Sequence, residues 1–201
     1  MQKKIASIIS TLLHPMLMPT IGLLIIFSTQ SHITFLPFEY RRLVTIIVLI
    51  STCILPLSVI PIFIQTKIIK SIHMDSSKER ILPLLVTGLF FILGYYFLKK
   101  FQLPTFIPLF FLGTLVALII SLAISFFWKI SIHMVGIGGV IGALIAMYIK
   151  YGVNTNMWLL ICIGIAGLVG TCRLTLNAHN PYQIYAGLFL GTTAICCVVM
   201  L

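Results

Sequence analysis

The chain has 201 residues, 60% of them hydrophobic and 8% charged, and its net charge is +10. A water-soluble globular domain carries about a quarter of its residues charged, so that class is excluded and an integral membrane protein is expected. The Lys and Arg residues stand in ones and twos between apolar runs, which punctuates loops and argues against nucleic acid as a partner.

A membrane-crossing helix needs about 20 residues, mostly apolar. In chain order the sequence predicts spans at Ile5–Phe27, Leu43–Ile64, Ile81–Leu98, Phe106–Phe127, Ile132–Ile149, Met157–Gly170 and Gln183–Leu201. Pro15 and Pro19 predict a kink in the first, and the sixth is short unless it runs on to Arg173. Runs such as LVALIISLAISFF do not alternate, which excludes a membrane barrel. The N-terminal stretch is interrupted by His14-Pro15 and followed by no small-residue cleavage site, so it reads as a span rather than a signal peptide.

Loops of at most roughly 18 residues suit one compact bundle, so the expected fold is all-α: six to seven transmembrane helices in a single domain over residues 1–201. The cysteines show no CxxC pairing and read as packing residues, without redox chemistry. Gly138 and Gly142, and parts of the sixth span, have the spacing of close helix contacts. His14 lies some turns inside the first span, and a hydrogen bond to a neighbouring helix is the expected reason for it, with a place lining the cavity as the alternative. Trp128, Trp158, Tyr40 and Tyr151 fall near span ends, where such rings anchor at the headgroups.

Threading the spans back and forth sorts the ionisable residues. One face receives His73, Asp75, Lys78, Glu79, Arg80, Lys129, Ser131, His133, Arg173 and His179; the other receives His32, Glu39, Arg41, Arg42, Lys99, Lys100 and Lys150. A rim of snorkelling cations accounts for the lysines but not for one histidine in each of three loops, and that convergence predicts a site. Ser131 is the expected N-cap of the fifth span, and Asn180-Pro181 the expected start of the seventh. His133 and His179 then lie at helix N-termini, which favour a bound anion, and Arg80 and Arg173 suit forked contacts with phosphate oxygens.

These residues resemble the motifs of the type 2 phosphatidic acid phosphatases, the lipid phosphate phosphatase superfamily, over about 67–201. The third family motif is Ser-Arg, five residues, His, three residues, Asp; here CRLTLNAHNPYQ has Arg173, His179 and then Gln183. The second is Pro-Ser-Gly-His, and ISIH keeps Ser131 and His133. The first is Lys, six residues, Arg-Pro; here Arg80 precedes Ile81, and His73 stands where the Lys would be.

The resemblance implies an acid-phosphatase-like core and a metal-independent, cofactor-free hydrolase acting on a phosphomonoester or pyrophosphate of a membrane lipid. In it His179 is the nucleophile that becomes a phosphohistidine and His133 the general acid. Arg173 and Arg80 hold the phosphoryl oxygens, helped by Ser131, Lys78 and His73. Gln183 replaces the Asp that orients the nucleophile, a duty that Asp75 or Glu79 can also fill from the neighbouring loop. Three other readings stay open: a catalytically degenerate phosphate- or lipid-binding protein, a zinc site of His73, His133 and His179, and a His/Arg-based transporter.

Basic residues number eight on the histidine-rich face and five on the other. Without Lys78, Arg80 and Arg173 the count is level, so charge does not orient the chain. The resemblance implies the inner membrane of a bacterium, with the site on the periplasmic face. Oligomeric state is not legible.

Overall fold

The computed structural model describes residues 1–29, 31–32, 35–67, 69 and 77–201, apart from the side chains of Ser77 and Lys78. Its helices are α1 (Gln2–Leu12), α2 (Met18–Ser28), α3 (Phe38–Leu49), α4 (Leu55–Gln65), α5 (Ser77–Lys99), α6 (Phe106–Ser125), α7 (Ile132–Tyr151), α8 (Asn156–Thr175) and α9 (Pro181–Met200). Seven stretches are long and apolar enough to cross a bilayer: α1 with α2, α3 with α4, and α5 to α9 singly. The described residues contain no strand. The chain is a multi-pass helical membrane protein. The sixth span, α8, has full length, reaching past Arg173 to Thr175.

The first span is broken rather than bent. Pro15 and Pro19 have no N–H to return to preceding carbonyls, so α1 stops at Leu12 and a single tight turn, Pro15–Leu17, leads into α2. At this break the buried Thr52 hydroxyl donates to the carbonyl of Met16 at 3.1 Å, sharing its proton with the Val48 carbonyl at 2.8 Å. Thr52 sits in a wide π-type turn, Ile50–Ile54, that joins α3 to α4. The break and the π turn therefore support each other.

α7 is the central helix, with 67% of its span buried against 39% or less in the other six. It runs parallel to α9 with the two backbones in contact. A methyl group on Gly138 would overlap the carbonyl of Leu188, one on Gly142 that of Thr192, and one on Gly191 that of Val135. Gly187 faces the Ser131 carbonyl in the same way. Small residues allow this approach, and dispersion between close backbones holds it where burial from water cannot. Gly170 meets Ile184, and Ala166, one turn before it, is buried, whereas nothing lies within 4 Å of a methyl placed on Gly164 or Gly167, so the small-residue spacing marks a contact on one face of α8 only. On the other side of α7, Gly136 faces Met18 and Gly22 faces Val140. The break before α2 is thus level with the first turn of α7.

Candidate functional site: a polar cluster where three spans end

The turn between α8 and α9 is built from its own sequence. Asn177 adopts φ 52°, a left-handed conformation that Asn tolerates. Its N–H donates to Leu174 at 2.8 Å and the N–H of Ala178 to Arg173 at 3.1 Å, closing α8 as a Schellman motif. Asn180 then opens α9 with a capping box. Its side chain accepts from the Gln183 N–H at 3.0 Å, and Gln183 Oε1 accepts from the Asn180 N–H at 3.2 Å. The five residues separating Arg173 from His179 are this helix stop and restart.

Gln183 Oε1 also lies 3.0 Å from His179 Nδ1. Because that oxygen already accepts from Asn180, the imidazole donates to it through Nδ1–H, and the lone pair is left on Nε2. His179 is 8% exposed. Burial is the main force that pushes its pKa down, to about 4; the Gln183 hydrogen bond opposes it, and the charges of Arg80, Arg173 and Lys129 reinforce it. The ring is therefore neutral at pH 7. An unfolded histidine takes a proton near pH 6.5, so between 6.5 and 4 the unfolded chain binds a proton that the folded chain refuses, and stability falls as pH is lowered through that window. The expected result is a melting temperature in detergent that drops between those values. His179→Gln should drop less; an equal fall would remove His179 as the cause.

His133 is the second residue of α7. Its Nε2 lies 3.1 Å from the carbonyl of Ser10, one of the carbonyls that the end of α1 leaves without an intrahelical partner. A carbonyl only accepts, so Nε2 carries the proton and Nδ1 the lone pair. His14 stands beside it, edge-on, with ring centroids 5.7 Å apart. The hydrogen bond of His14 lies within its own segment and does not reach a neighbouring helix: the Met16 N–H donates to its Nδ1 at 3.4 Å, so in the neutral ring the proton is on Nε2. Ser131 is at the N-cap position of α7, but its hydroxyl makes no capping bond. Its N–H donates to the Gln183 carbonyl at 3.3 Å, which joins the starts of α7 and α9.

The structure brings together His179, His133, Arg173, Ser131 and Gln183, with Arg80 and Lys129 near enough to act on His179. The Arg173 charge reaches His14, His133 and His179 alike. Ser10 and His14 join them from the first span; sequence reasoning held His14 as a cavity residue only in its alternative reading and missed Ser10, whose signal was a serine one turn before a His-Pro pair that breaks an apolar stretch. His73, Asp75 and the Lys78 side chain lie outside the described residues. Glu79 is the first residue of its span, two positions into α5.

Among the described residues, three buried polar groups in the cluster have no hydrogen-bond partner: Ser10 Oγ, Ser131 Oγ and Arg173 Nε. Unmet buried donors cost about 1–3 kcal/mol each. All three can donate, which is what an anion would accept. Beneath them an apolar cavity of about 60 Å³ is bordered by Pro15, Met18, Phe110, Ile132 and Gly136. Among the described residues no three His, Cys, Asp or Glu side chains gather closely enough to hold a metal ion, and the three-histidine alternative needs His73. Compared with models of known families, with curated proteins and with solved structures, the chain matches none.

Proposed function

We propose that this chain is a membrane phosphatase that hydrolyses a phosphomonoester or pyrophosphate of a lipid through a phosphohistidine at His179. The observation that carries the reading is the pair of orphaned donors, Ser131 Oγ and Arg173 Nε, buried in a cluster with an imidazole whose Nε2 is freed by Gln183. Phosphoryl transfer asks mainly for positioning and charge stabilisation. His179 Nε2 attacks phosphorus, and Arg173, Arg80 and Ser131 hold the equatorial oxygens. His133 protonates the leaving oxygen through Nδ1 once that nitrogen has taken up the ring's second proton, which the negative charge of a bound phosphate favours, since Nε2 is committed to Ser10. Lys78 and His73 belong to the reading through the motif resemblance alone.

The apolar cavity beside Ile132 and the position of the cluster where spans end favour an amphiphile whose tail stays among the helices. The location proposed is a bacterial cytoplasmic membrane, with the site on its outer face. A second reading, a binding protein without turnover, is favoured by one feature: Gln183 is neutral where a carboxylate would stabilise the charged imidazole.

The test is release of inorganic phosphate from a panel of lipid phosphates by the purified protein in detergent. His179→Ala should release none and leave no acid-labile phosphoprotein. Arg173→Ala should lose roughly 10²–10³ in kcat, the usual effect of removing a donor to a developing oxyanion. Equal release by wild type and His179→Ala would overturn the reading.

A further inference from the structure

We propose that a groove between the second and third spans holds one acyl chain of an anionic phospholipid, whose phosphate sits among cations at the end of the bundle opposite the histidine cluster. The inference is independent of any reaction at His179.

The groove has a volume of about 280 Å³ and is walled by Ile47, Ser51 and Leu55 on one side and by Gly94, Phe97 and Phe101 on the other. Its floor is the place where α5 crosses the π-type turn, so close that a methyl group on Gly94 would overlap Ser51. Ser51 is the one polar residue in the lining, and its hydroxyl is already spent on the carbonyls of Ile47 at 2.8 Å and Val48 at 3.2 Å. The floor therefore offers an occupant no hydrogen bond and suits hydrocarbon. Ile50, Leu93 and Phe97 on its rim are exposed, so the groove opens to the lipid side. From Ile47 to Leu55 it runs eight residues, about 12 Å along the helix, whereas a partner helix is itself about 10–12 Å across and too wide to enter.

Charge selects the headgroup. Consecutive spans run in opposite directions, so the end of α5 and the start of α3 reach the same face. From the Gly94–Ser51 crossing, Lys100 is six residues on, about 9 Å, and Arg42 is nine residues back, about 14 Å. Arg41, Arg42, Lys99 and Lys100 stand at these two helix ends against one acid, Glu39. Lys100 follows Phe97 by three residues and so shares its side of α5. Its ammonium lies 4.7 Å from the centre of the exposed Tyr96 ring, a residue type that marks headgroup level. A lipid with net negative charge gains from each of these cations, and a zwitterionic one gains less. Occupation also has a structural consequence. Ser51 precedes Thr52, whose hydroxyl holds the Met16 carbonyl, so a chain seated on this floor steadies the π-type turn and the break in the first span together.

The experiment is native mass spectrometry of the purified, delipidated protein titrated with phosphatidylglycerol or phosphatidylcholine of the same acyl chains, with thermal unfolding alongside. The wild type should take one phosphatidylglycerol roughly tenfold more tightly than phosphatidylcholine and melt at a higher temperature with it. Leu93→Trp, which fills the groove from its rim, should lose that first lipid and its stabilisation; Leu160→Trp, on the exposed side of α8, should keep both. Arg42→Gln and Lys100→Gln should each weaken phosphatidylglycerol about fivefold and leave phosphatidylcholine unchanged, a test that stands even if Leu93→Trp does not fold. Equal affinity for the two lipids, equal behaviour of the two tryptophan variants, or a dimer that excludes lipid would overturn the proposal.

Discussion

Gln183→Glu should raise turnover by roughly tenfold or more, and Gln183→Asp should not. The amide oxygen serves His179 at 3.0 Å and the Asn180 N–H at 3.2 Å. Glutamate has the same reach and keeps both contacts. Aspartate is one methylene shorter and must give up one of them. The gain comes from charge: a phosphohistidine carries a positive imidazole, and a carboxylate at Nδ1 stabilises it where an amide only orients it. In serine proteases, neutralising the carboxylate that orients the catalytic imidazole costs roughly 10⁴ in turnover, so recovering part of such an effect is a modest expectation. The same carboxylate would raise the pKa of His179 from about 4, moving the acid limb of the pH profile to higher pH. Turnover and that limb would be measured together. An unchanged rate with an unmoved limb would mean that another carboxylate already serves, and Glu79→Gln would then be the damaging substitution.

Gly191→Leu should cost the protein its assembled bundle. A side chain there must displace the Val135 backbone on α7, and backbone cannot turn aside as a flexible side chain does. Overpacking costs about 1–3 kcal/mol when neighbours can adjust, and this position lies at the upper end or beyond. Because Ser131 and Gln183 join the same two helices, the site should open with the contact. Gly164→Leu is the control, since nothing lies within 4 Å of a methyl at that position. The check is thermal unfolding and size-exclusion behaviour in detergent. A Gly191→Leu protein as stable as Gly164→Leu would show that α7 and α9 do not need their close approach.

Spans were legible because each is a long apolar run, and hydropathy averages over the residues that packing disturbs. The helix stop at Asn177 and restart at Asn180 were half legible: Asn180-Pro181 announces an N-cap, whereas the left-handed Asn177 looks like any polar residue until the chain reverses. Gly138 and Gly142 were readable as contact residues, but spacing alone also pointed to α8, where Gly164 and Gly167 touch nothing. Spacing says that a helix can be approached and does not say by what. Ser10 was missed, and His14 assigned to a neighbouring helix, for a related reason. Their partner, His133, is 123 residues away from Ser10, and no local pattern announces a carbonyl left over at a helix end.

That separation also sets an order of assembly. His179, the Gln183 amide that orients it and Arg173 lie within eleven consecutive residues and take shape as α8 and α9 form. His133 is different: its tautomer is fixed by a carbonyl 123 residues earlier in the chain, so it is set only when α7 packs against the first span. A protein begun at α2 would keep the His179–Gln183 pair intact and leave His133 free to hold its proton on either nitrogen.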